Sequence, residues 1–298
     1  MIAEGPFRVG GTLHAIWKPL IALAVLDVLV VAAYKLLGWH WLAPADLPLP
    51  LMGTGLVVFV GLRNSTAYAR WWEARALWGA VVNQSRSFAR TMTMLLPDPA
   101  DAPLCDRLIE YQMAWANALR RHLRRQKPGG ALPETIDPDV RQRIITAANP
   151  AFAVQRIMAE SLGEAFRAKR IDSIQLSGVN TILTALTDAQ GGLERIRNTP
   201  MPQHYSSLPR IFVLIYSALV PFGIVEDVGW LTPVACLLIA AVFLTLDRAG
   251  AILENPFERS VHDLPMTAIC RTIEIDLKQT MDHPDQPVPV RPVFGVLR

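Results

Sequence analysis

The feature that most constrains this chain is a long interval without proline that begins apolar and ends charged. Between Pro50 and Pro97 there is no proline, and the run LPLMGTGLVVFVGL (49–62) passes directly into a charged, aromatic segment that starts at Arg63. A helix over this interval would be roughly 70 Å long, against about 30 Å for the hydrocarbon core of a bilayer. The sequence therefore predicts one helix that crosses a membrane and continues beyond it, as a pore-lining helix would.

Composition and charge placement indicate a membrane protein. Of the 298 residues, 51% are hydrophobic and only 18% are charged, which is unusual for a soluble protein. The predicted spans are 19–37, 49–62, 211–225 and 230–246. The short connections after the first and third spans contain no Lys or Arg, so the positive-inside rule places both termini and the long middle region in the cytoplasm. We therefore expect an all-α, multi-pass protein with four transmembrane helices per subunit.

The middle of the chain is predicted to be helical and cytosolic. Its predicted helices are 104–126, 139–148, 150–167 and 174–196, and a last amphipathic stretch runs from about 271 to 281 before an extended, proline-rich tail. The predicted regions are 1–62 with the first two spans, 63–207 as a cytosolic helical region, 208–247 as the hairpin of the last two spans, and 248–298 as a C-terminal helix and arm. Two short hairpins cannot enclose a polar pathway, so a pathway would have to form between copies around a symmetry axis.

Catalytic and cofactor motifs are missing from the sequence. It contains no G-x-S-x-G, H-E-x-x-H, Walker or G-x-G-x-x-G pattern, and the histidines are scattered. Cys105, Cys236 and Cys270 do not have metal-ligand spacing. A net charge of +3 is too small to indicate nucleic-acid binding. We expect no enzyme active site, no cofactor, no metal and no nucleic-acid partner.

Three residues of the second span recur at helical spacing. Thr54, Val58 and Leu62 stand at i, i+4 and i+8, so they share one face of a helix. Three glycines that would allow close helix contact are interspersed among them: Gly53, Gly55 and Gly61. The face could pack within the helix bundle, or it could form a narrow apolar neck that gates ion flow by dewetting. Spacing alone does not decide between these interpretations.

Asp27 is an ionisable residue in the middle of the first predicted span. Such a residue is costly in a membrane, so we expect it to face the protein interior or water and to have a partner. A structural hydrogen bond to a neighbouring helix and a role in permeation are both open.

Three segments of the chain resemble the signature regions of one family. They are RNSTAYARWWEARALWGAVVNQSR (63–86), DAQGGLERIRNTPMP (188–202) and ILENPFERSVHDLPMTAICRTIEIDL (252–277). In content, order and spacing they are similar to the bestrophins, in their bacterial branch, over nearly the whole chain. The resemblance implies a homopentameric ion channel of the bacterial inner membrane, with one axial pore that continues from four spans per subunit into a cytosolic helical bundle.

The resemblance also implies roles for single residues. The R-W-W signature corresponds to Arg70, Trp71 and Trp72. Counting back along the same helix puts the family's three neck rings at Thr54, Val58 and Leu62. Animal members have aromatic side chains at two of these rings, whereas this chain has Val58 and Leu62. Contacts between anions and aromatic edges therefore cannot set selectivity here.

A second restriction, near the cytosolic exit, maps to Ile174. The mapping aligns D-S-I (172–174) ahead of Q-G-G (190–192) and needs one gap, so Ile171 and Ile182 are alternatives. The tail 283–298 resembles the family's C-terminal arm, which lies against an adjacent subunit.

The calcium clasp of the animal channels lies around N-P-F, here Asn255, Pro256 and Phe257. The following segment 258–263 supplies only two carboxylates, interrupted by Arg259. Calcium takes six to eight oxygen ligands, so we expect no calcium gating. The function implied is a channel for chloride or other small anions. A monovalent cation channel of the same fold and a non-conducting membrane assembly protein are the alternatives.

Overall fold

A computed structural model describes residues 9–44, 47–127, 132–133, 135–258, 262–293 and 296–297, with side chains from residue 14 onward. The helices are α1 (Val9–Leu36), α2 (Leu49–Leu95), α3 (Ala102–Leu123), α4 (Pro138–Thr146), α5 (Pro150–Arg167), α6 (Ser173–Asn198), α7 (Gln203–Val228), α8 (Thr232–Leu253) and α9 (Met266–Thr280). Within these residues the only β pairing is an isolated bridge between Val293 and Val296. The prediction of an all-α protein is confirmed.

The prediction of one long helix after Pro50 is also confirmed. α2 runs without interruption for 47 residues, which corresponds to about 70 Å. Its buried positions recur every three or four residues on both sides of residue 71, and include Leu56, Val60, Ala67, Ala74 and Trp78. Because of this repeat, the buried residues form one stripe that runs along the length of α2.

The chain divides into two compact units, and α2 contributes to both. One comprises the described residues up to 71 together with 200–255, and is called the span unit here. The other comprises 72–199 and the described residues from 256 onward, and is called the bundle unit. The four regions predicted from sequence have somewhat different boundaries and stay a prediction.

The core of the span unit consists of two apolar clusters. The larger draws on α1, α2, α7 and α8, through Ile16, Leu23, Leu56, Val60, Val213, Ala240 and Leu244. The smaller contains Val30, Val31, Tyr34 and Val225. Among the described residues, two stretches are long and apolar enough to cross a membrane. They are His14–Leu36 and Gln203–Leu253, and the second contains both α7 and α8. The exact count of four spans stays a prediction.

The bundle unit is built around α3, which packs against α5, α6 and α9. Two pairs of its buried polar side chains bond each other: Trp115 Nε1 donates to Gln190 Oε1 (3.0 Å), and Gln112 Nε2 donates to Ser85 Oγ (2.9 Å). Such pairing matters because a buried polar group without a partner costs about 1–3 kcal/mol. The buried Trp78 Nε1 has no hydrogen-bond partner among the described residues.

Among the predicted cytosolic and C-terminal helices, two ends differ from the structure by three residues or more, and the others by two or fewer. α9 starts at Met266, five residues before the predicted start, because Pro265 stands at its N-cap and proline is tolerated there. α3 ends at Leu123 rather than at residue 126, since Arg125 has a positive φ of 52° that breaks the helix. Much of the predicted loop after α3 lies outside the described residues.

Candidate functional site

The first half of α2 has two chemically different faces. Leu56, Val60 and Arg63 are buried inside the span unit, whereas Val58 and Leu62 are 56% and 57% exposed. Thr54 is exposed as well. The structure therefore brings the three predicted neck residues together on one exposed face of α2, called the neck face from here on.

The side chains of the neck face offer almost no free hydrogen-bond donor. The Thr54 hydroxyl donates to the carbonyl of Pro50 (2.8 Å), so its remaining lone pairs, and not its proton, point away from the helix. Val58 and Leu62 add only aliphatic surface. An ion beside such a face would meet one weak acceptor and then aliphatic surface.

The glycines of α2 do not all pack in the same way. A side chain at Gly53 would collide with the ring of Tyr216 on α7, so this glycine permits a close helix contact within the span unit. An added Cβ at Gly55 or at Gly61 meets nothing within 4 Å. The expectation of close packing therefore holds for one of the three glycines within a single subunit.

Ile174 lies in the first turn of α6 and is 82% exposed. The turn is fixed by a capping box in which Asp172 Oδ1 accepts from Gln175 N (2.7 Å) and Gln175 Oε1 accepts from Asp172 N (2.9 Å). Of the two alternative residues, Ile171 is buried and Ile182 is half-buried. The geometry favours Ile174 as the residue that presents an apolar side chain outward.

The R-W-W signature residues anchor the middle of α2. Arg70 Nε donates to the carbonyl of Glu254 (3.0 Å), and Trp71 stacks on Tyr68 with ring centroids 6.2 Å apart. Trp72, the first residue of the bundle unit, is exposed. The Arg70 hydrogen bond joins α2 to the residue that caps the C-terminal end of α8.

The N-P-F residues are divided between exposed and buried positions. Asn255 is exposed, whereas Pro256 and Phe257 are buried and the Pro256 carbonyl accepts from Leu264 N (3.2 Å). Residues 259–261 of the predicted calcium segment lie outside the described residues. In the part of the chain that the structure describes, no three acidic, His or Cys side chains form a group that could hold a metal ion. Calcium independence stays a prediction.

Sequence reasoning missed a cluster around Arg63, which is only 1% exposed. Its guanidinium forms ion pairs with Asp247 (3.0 Å) and Glu254 (2.7 Å), two carboxylates of the α8 region. Ser206 completes this group, called the Arg63 cluster from here on, because its hydroxyl donates to Glu254 Oε2 (2.8 Å). The sequence does carry a signal: in the part of α2 that belongs to the span unit, Arg63 occupies a position where the buried stripe is otherwise apolar.

Asp27 is buried at 1% exposure on α1. In sequence it stands between Leu23 of the larger apolar cluster and Val30 of the smaller one. Neither carboxylate oxygen has a hydrogen-bond partner among the described residues, and the same is true of the Ser217 hydroxyl on α7. The expectation that Asp27 faces the protein interior holds, but the expected partner on a neighbouring helix is not found in the described part of the chain.

Comparison with known proteins gives a consistent result. Residues 6–279 match the family model described as "Bacterial/Fungal Bestrophin protein". A protein of Salmonella typhi named "Voltage-dependent anion channel-forming protein YneE" is 33% identical over 93% of this chain and 90% of its own length. The protein of that name from Escherichia coli K12 is 35% identical over 82% of this chain and 80% of its own.

A solved structure agrees in fold. The crystal structure of a bacterial bestrophin homologue from Klebsiella pneumoniae superimposes with a TM-score of 0.84 at 28% identity. The match covers 91% of this chain and 100% of the other. A single-residue variant of that homologue gives a TM-score of 0.85 over 91% of this chain and 98% of its own.

Proposed function

We propose, from the premise that this chain belongs to the bacterial/fungal bestrophin family, that it is an ion channel that conducts small anions such as chloride. The anion assignment is supported by the names of its relatives. The structural observation that carries the proposal is the neck face, where two aliphatic side chains and one hydroxyl project from α2 away from the core of their own subunit.

The proposed pore forms on a symmetry axis shared by five copies. One subunit contributes a single exposed stripe of α2, which cannot enclose a pathway, whereas a closed ring of identical stripes can. Val58 and Leu62 then form rings of apolar side chains, and the energy needed to dehydrate an ion between them limits conduction. The subunit would cross the bacterial inner membrane four times, with both termini in the cytoplasm.

Ile174 forms a second, cytosolic restriction in this proposal. The side chain projects from a rigidly capped helix start, so its position varies little between subunits. An aliphatic ring of this kind selects by size and dehydration energy. The proposed channel opens without calcium, because only Glu258 and Asp263 of the segment after N-P-F carry carboxylates.

Flux through purified protein in liposomes tests the proposal. Val58→Ala and Leu62→Ala are expected to raise chloride flux several-fold, because smaller side chains widen and wet the neck. Val57→Ala is the matched control: Val57 is 55% exposed, nearly the same as Val58, but it points about 100° away around the helix. Equal effects of Val57→Ala and Val58→Ala would contradict the assignment of the neck face.

A cation channel of the same fold is the second candidate, and one observation favours it. Asp172, which is exposed, places a carboxylate two residues before Ile174, and a ring of carboxylates attracts cations. Reversal potentials in asymmetric NaCl separate the candidates. If Asp172 sets the sign, Asp172→Asn shifts the reversal potential toward the chloride equilibrium potential.

No flux of either ion from a correctly assembled protein would instead support a non-conducting assembly protein. Native mass in mild detergent measures assembly independently of flux. A stable monomer or dimer would contradict the pentameric pore.

A further inference from the structure

The residue that follows the neck face in sequence points the opposite way. Leu62 is exposed, whereas the neighbouring Arg63 side chain turns into the span unit and is only 1% exposed. A lone buried guanidinium would be prohibitively unstable in such a place, so its surroundings have to supply acceptors for its hydrogens.

Each nitrogen of the guanidinium has an acceptor within the span unit. Nε donates to Glu254 Oε1 (2.8 Å), and Nη1 donates to the backbone carbonyl of Asp247 (2.7 Å) and to its Oδ1 (3.0 Å). Nη2 lies 2.7 Å from Glu254 Oε1 and donates weakly to the carbonyl of Ser206 (3.4 Å). The planar fork is therefore held in one orientation by acceptors from three residues on α7 and the α8 region. No other cationic side chain reproduces this geometry.

Asn64, the residue after Arg63, also contacts α8 beside the cluster. Asn64 Nδ2 donates to the carbonyl of Leu246 (2.9 Å), and a Cβ added at Gly250 would overlap the side-chain oxygen of Asn64 and crowd Arg63. A side chain at position 250 would therefore force the Asn64 and Arg63 side chains to shift. Charge pairing and close packing thus act on the same turn of α2.

The Arg63 cluster also lies close in sequence to the points where the chain leaves or enters the span unit. The chain passes between the units after Trp71, before Pro200 and after Asn255. Arg70, Ser206 and Glu254 stand close in sequence to these three points, and all three take part in hydrogen bonds to or within the cluster.

We infer that Arg63 is a positioning residue for ion conduction: it holds the rotation and height of α2 against α7 and α8, so that Val58 and Leu62 project at a defined angle from the neck face. The inference rests on the proposed function. A ring constriction responds steeply to small displacements of its side chains, because wetting depends on its diameter. The hydrogen bonds of the Arg63 cluster, directly beside the ring, would prevent such a displacement.

The inference makes a different prediction from a role in stability alone. If the cluster acts through the neck, its variants change flux and relative permeability, and the change disappears once the neck is already widened. If it only stabilises the fold, its variants lower the thermal midpoint and leave flux per assembled pentamer unaltered.

The experiment compares three variants that perturb the cluster by different means. Arg63→Lys keeps the charge but loses the fork, Glu254→Gln keeps the shape but loses a charge, and Gly250→Ala keeps all charges and separates α2 from α8. Arg86→Lys is the control, since Arg86 forms an exposed ion pair with Asp276 in the bundle unit (2.8 Å). Flux, reversal potential in asymmetric NaCl and native mass are measured for each variant, alone and combined with Leu62→Ala.

We expect each cluster variant to change flux by about 2- to 30-fold, the range found for mutations that alter coupling between distant groups, and to change the reversal potential. In the Leu62→Ala background the same variants are expected to add little, because residues that act on one element are not additive. Arg86→Lys is expected to match the wild type.

Three results would overturn the inference. They are wild-type flux and reversal potential in all assembled cluster variants, effects that are unchanged in the Leu62→Ala background, and loss of assembly in all three variants, which would make the cluster an assembly element. Failure of the proposed function is recognised by a different result, namely that Val58→Ala does not raise flux.

Discussion

In the span unit the buried polar side chains are mainly charged, whereas in the bundle unit they are mainly neutral. Among the described residues, the span unit buries Asp27, Arg63, Asp247 and Glu254. The bundle unit buries Ser85, Gln112, Gln155 and Gln190, together with one acidic residue, Asp263. Its ion pairs, for example Arg86 with Asp276 and Arg143 with Glu160, lie at the surface.

The difference follows from what surrounds each unit. A domain in water can leave its charges outside, where solvent stabilises them, and such surface pairs contribute about 0–1 kcal/mol each. A unit with apolar helices long enough to cross a membrane has no such outside over much of its surface, so a charge is kept in the interior and compensated there. The charges of the Arg63 cluster compensate one another, whereas Asp27 has no hydrogen-bond partner among the described residues.

The largest expected effect is on the free energy of unfolding, and it distinguishes the buried ion pairs from the exposed ones. Arg63→Met leaves Asp247 and Glu254 buried without their partner, and is expected to lower the free energy of unfolding by about 3–5 kcal/mol. Arg86→Met, which breaks the exposed pair in the bundle unit, is expected to lower it by about 1 kcal/mol or less. Thermal midpoints of the purified protein in one detergent measure both.

Equal losses in the two arginine variants would break the comparison. A triple replacement of Arg63, Asp247 and Glu254 by apolar side chains of similar volume sharpens it, because removing a whole buried ionic group is often neutral for stability. Recovery of the thermal midpoint in that variant would show that the loss in Arg63→Met comes from the stranded carboxylates.

A smaller effect is expected from the neutral network of the bundle unit. Gln190→Leu removes the acceptor of the buried Trp115 N–H, and a buried donor without a partner costs about 1–3 kcal/mol. Trp115→Phe combined with Gln190→Leu removes both partners and is expected to lose less than the sum of the single variants. Strict additivity in this double-mutant cycle would contradict a direct bond between the two side chains.

Asp27 is expected to respond with the opposite sign. Asp27→Val removes a buried carboxyl that has no hydrogen-bond partner among the described residues, and is expected to raise the free energy of unfolding by about 1 kcal/mol or more. Ser85→Ala, which removes a paired hydroxyl in the bundle unit, is expected to lower it. Destabilisation by Asp27→Val would instead indicate that water or an ion compensates the carboxyl in the membrane.

The smallest expected effect is an absence of reactivity. Burial raises the pKa of the Cys105 thiol to about 11 and that of Cys270 to about 12. At pH 8, below both values, about one thiol in a thousand or fewer is the reactive thiolate. Mass spectrometry is expected to find both cysteines unmodified after treatment with a thiol reagent, and to find Thr272→Cys, an exposed position on the same helix as Cys270, modified.

Much of this molecule was predictable because it depends on local pattern. The uninterrupted α2 follows from the absence of proline between Pro50 and Pro97, and the shared face of Thr54, Val58 and Leu62 follows from helical spacing. Periodicity acts within one helix and needs no knowledge of what packs against it. The roles assigned to these residues, and to Ile174, stay predictions.

The Arg63 cluster was decided only by the tertiary structure. Arg63 and Glu254 are separated by 191 positions, and periodicity along one helix says nothing about which distant helix meets it. The sequence likewise marked Asp27 as costly, yet whether a partner would face it depended on the packing of α1 against α7 and α8. Local geometry is set by each residue and its neighbours in the chain, whereas the compensation of a buried charge is set by groups that folding brings together from far apart.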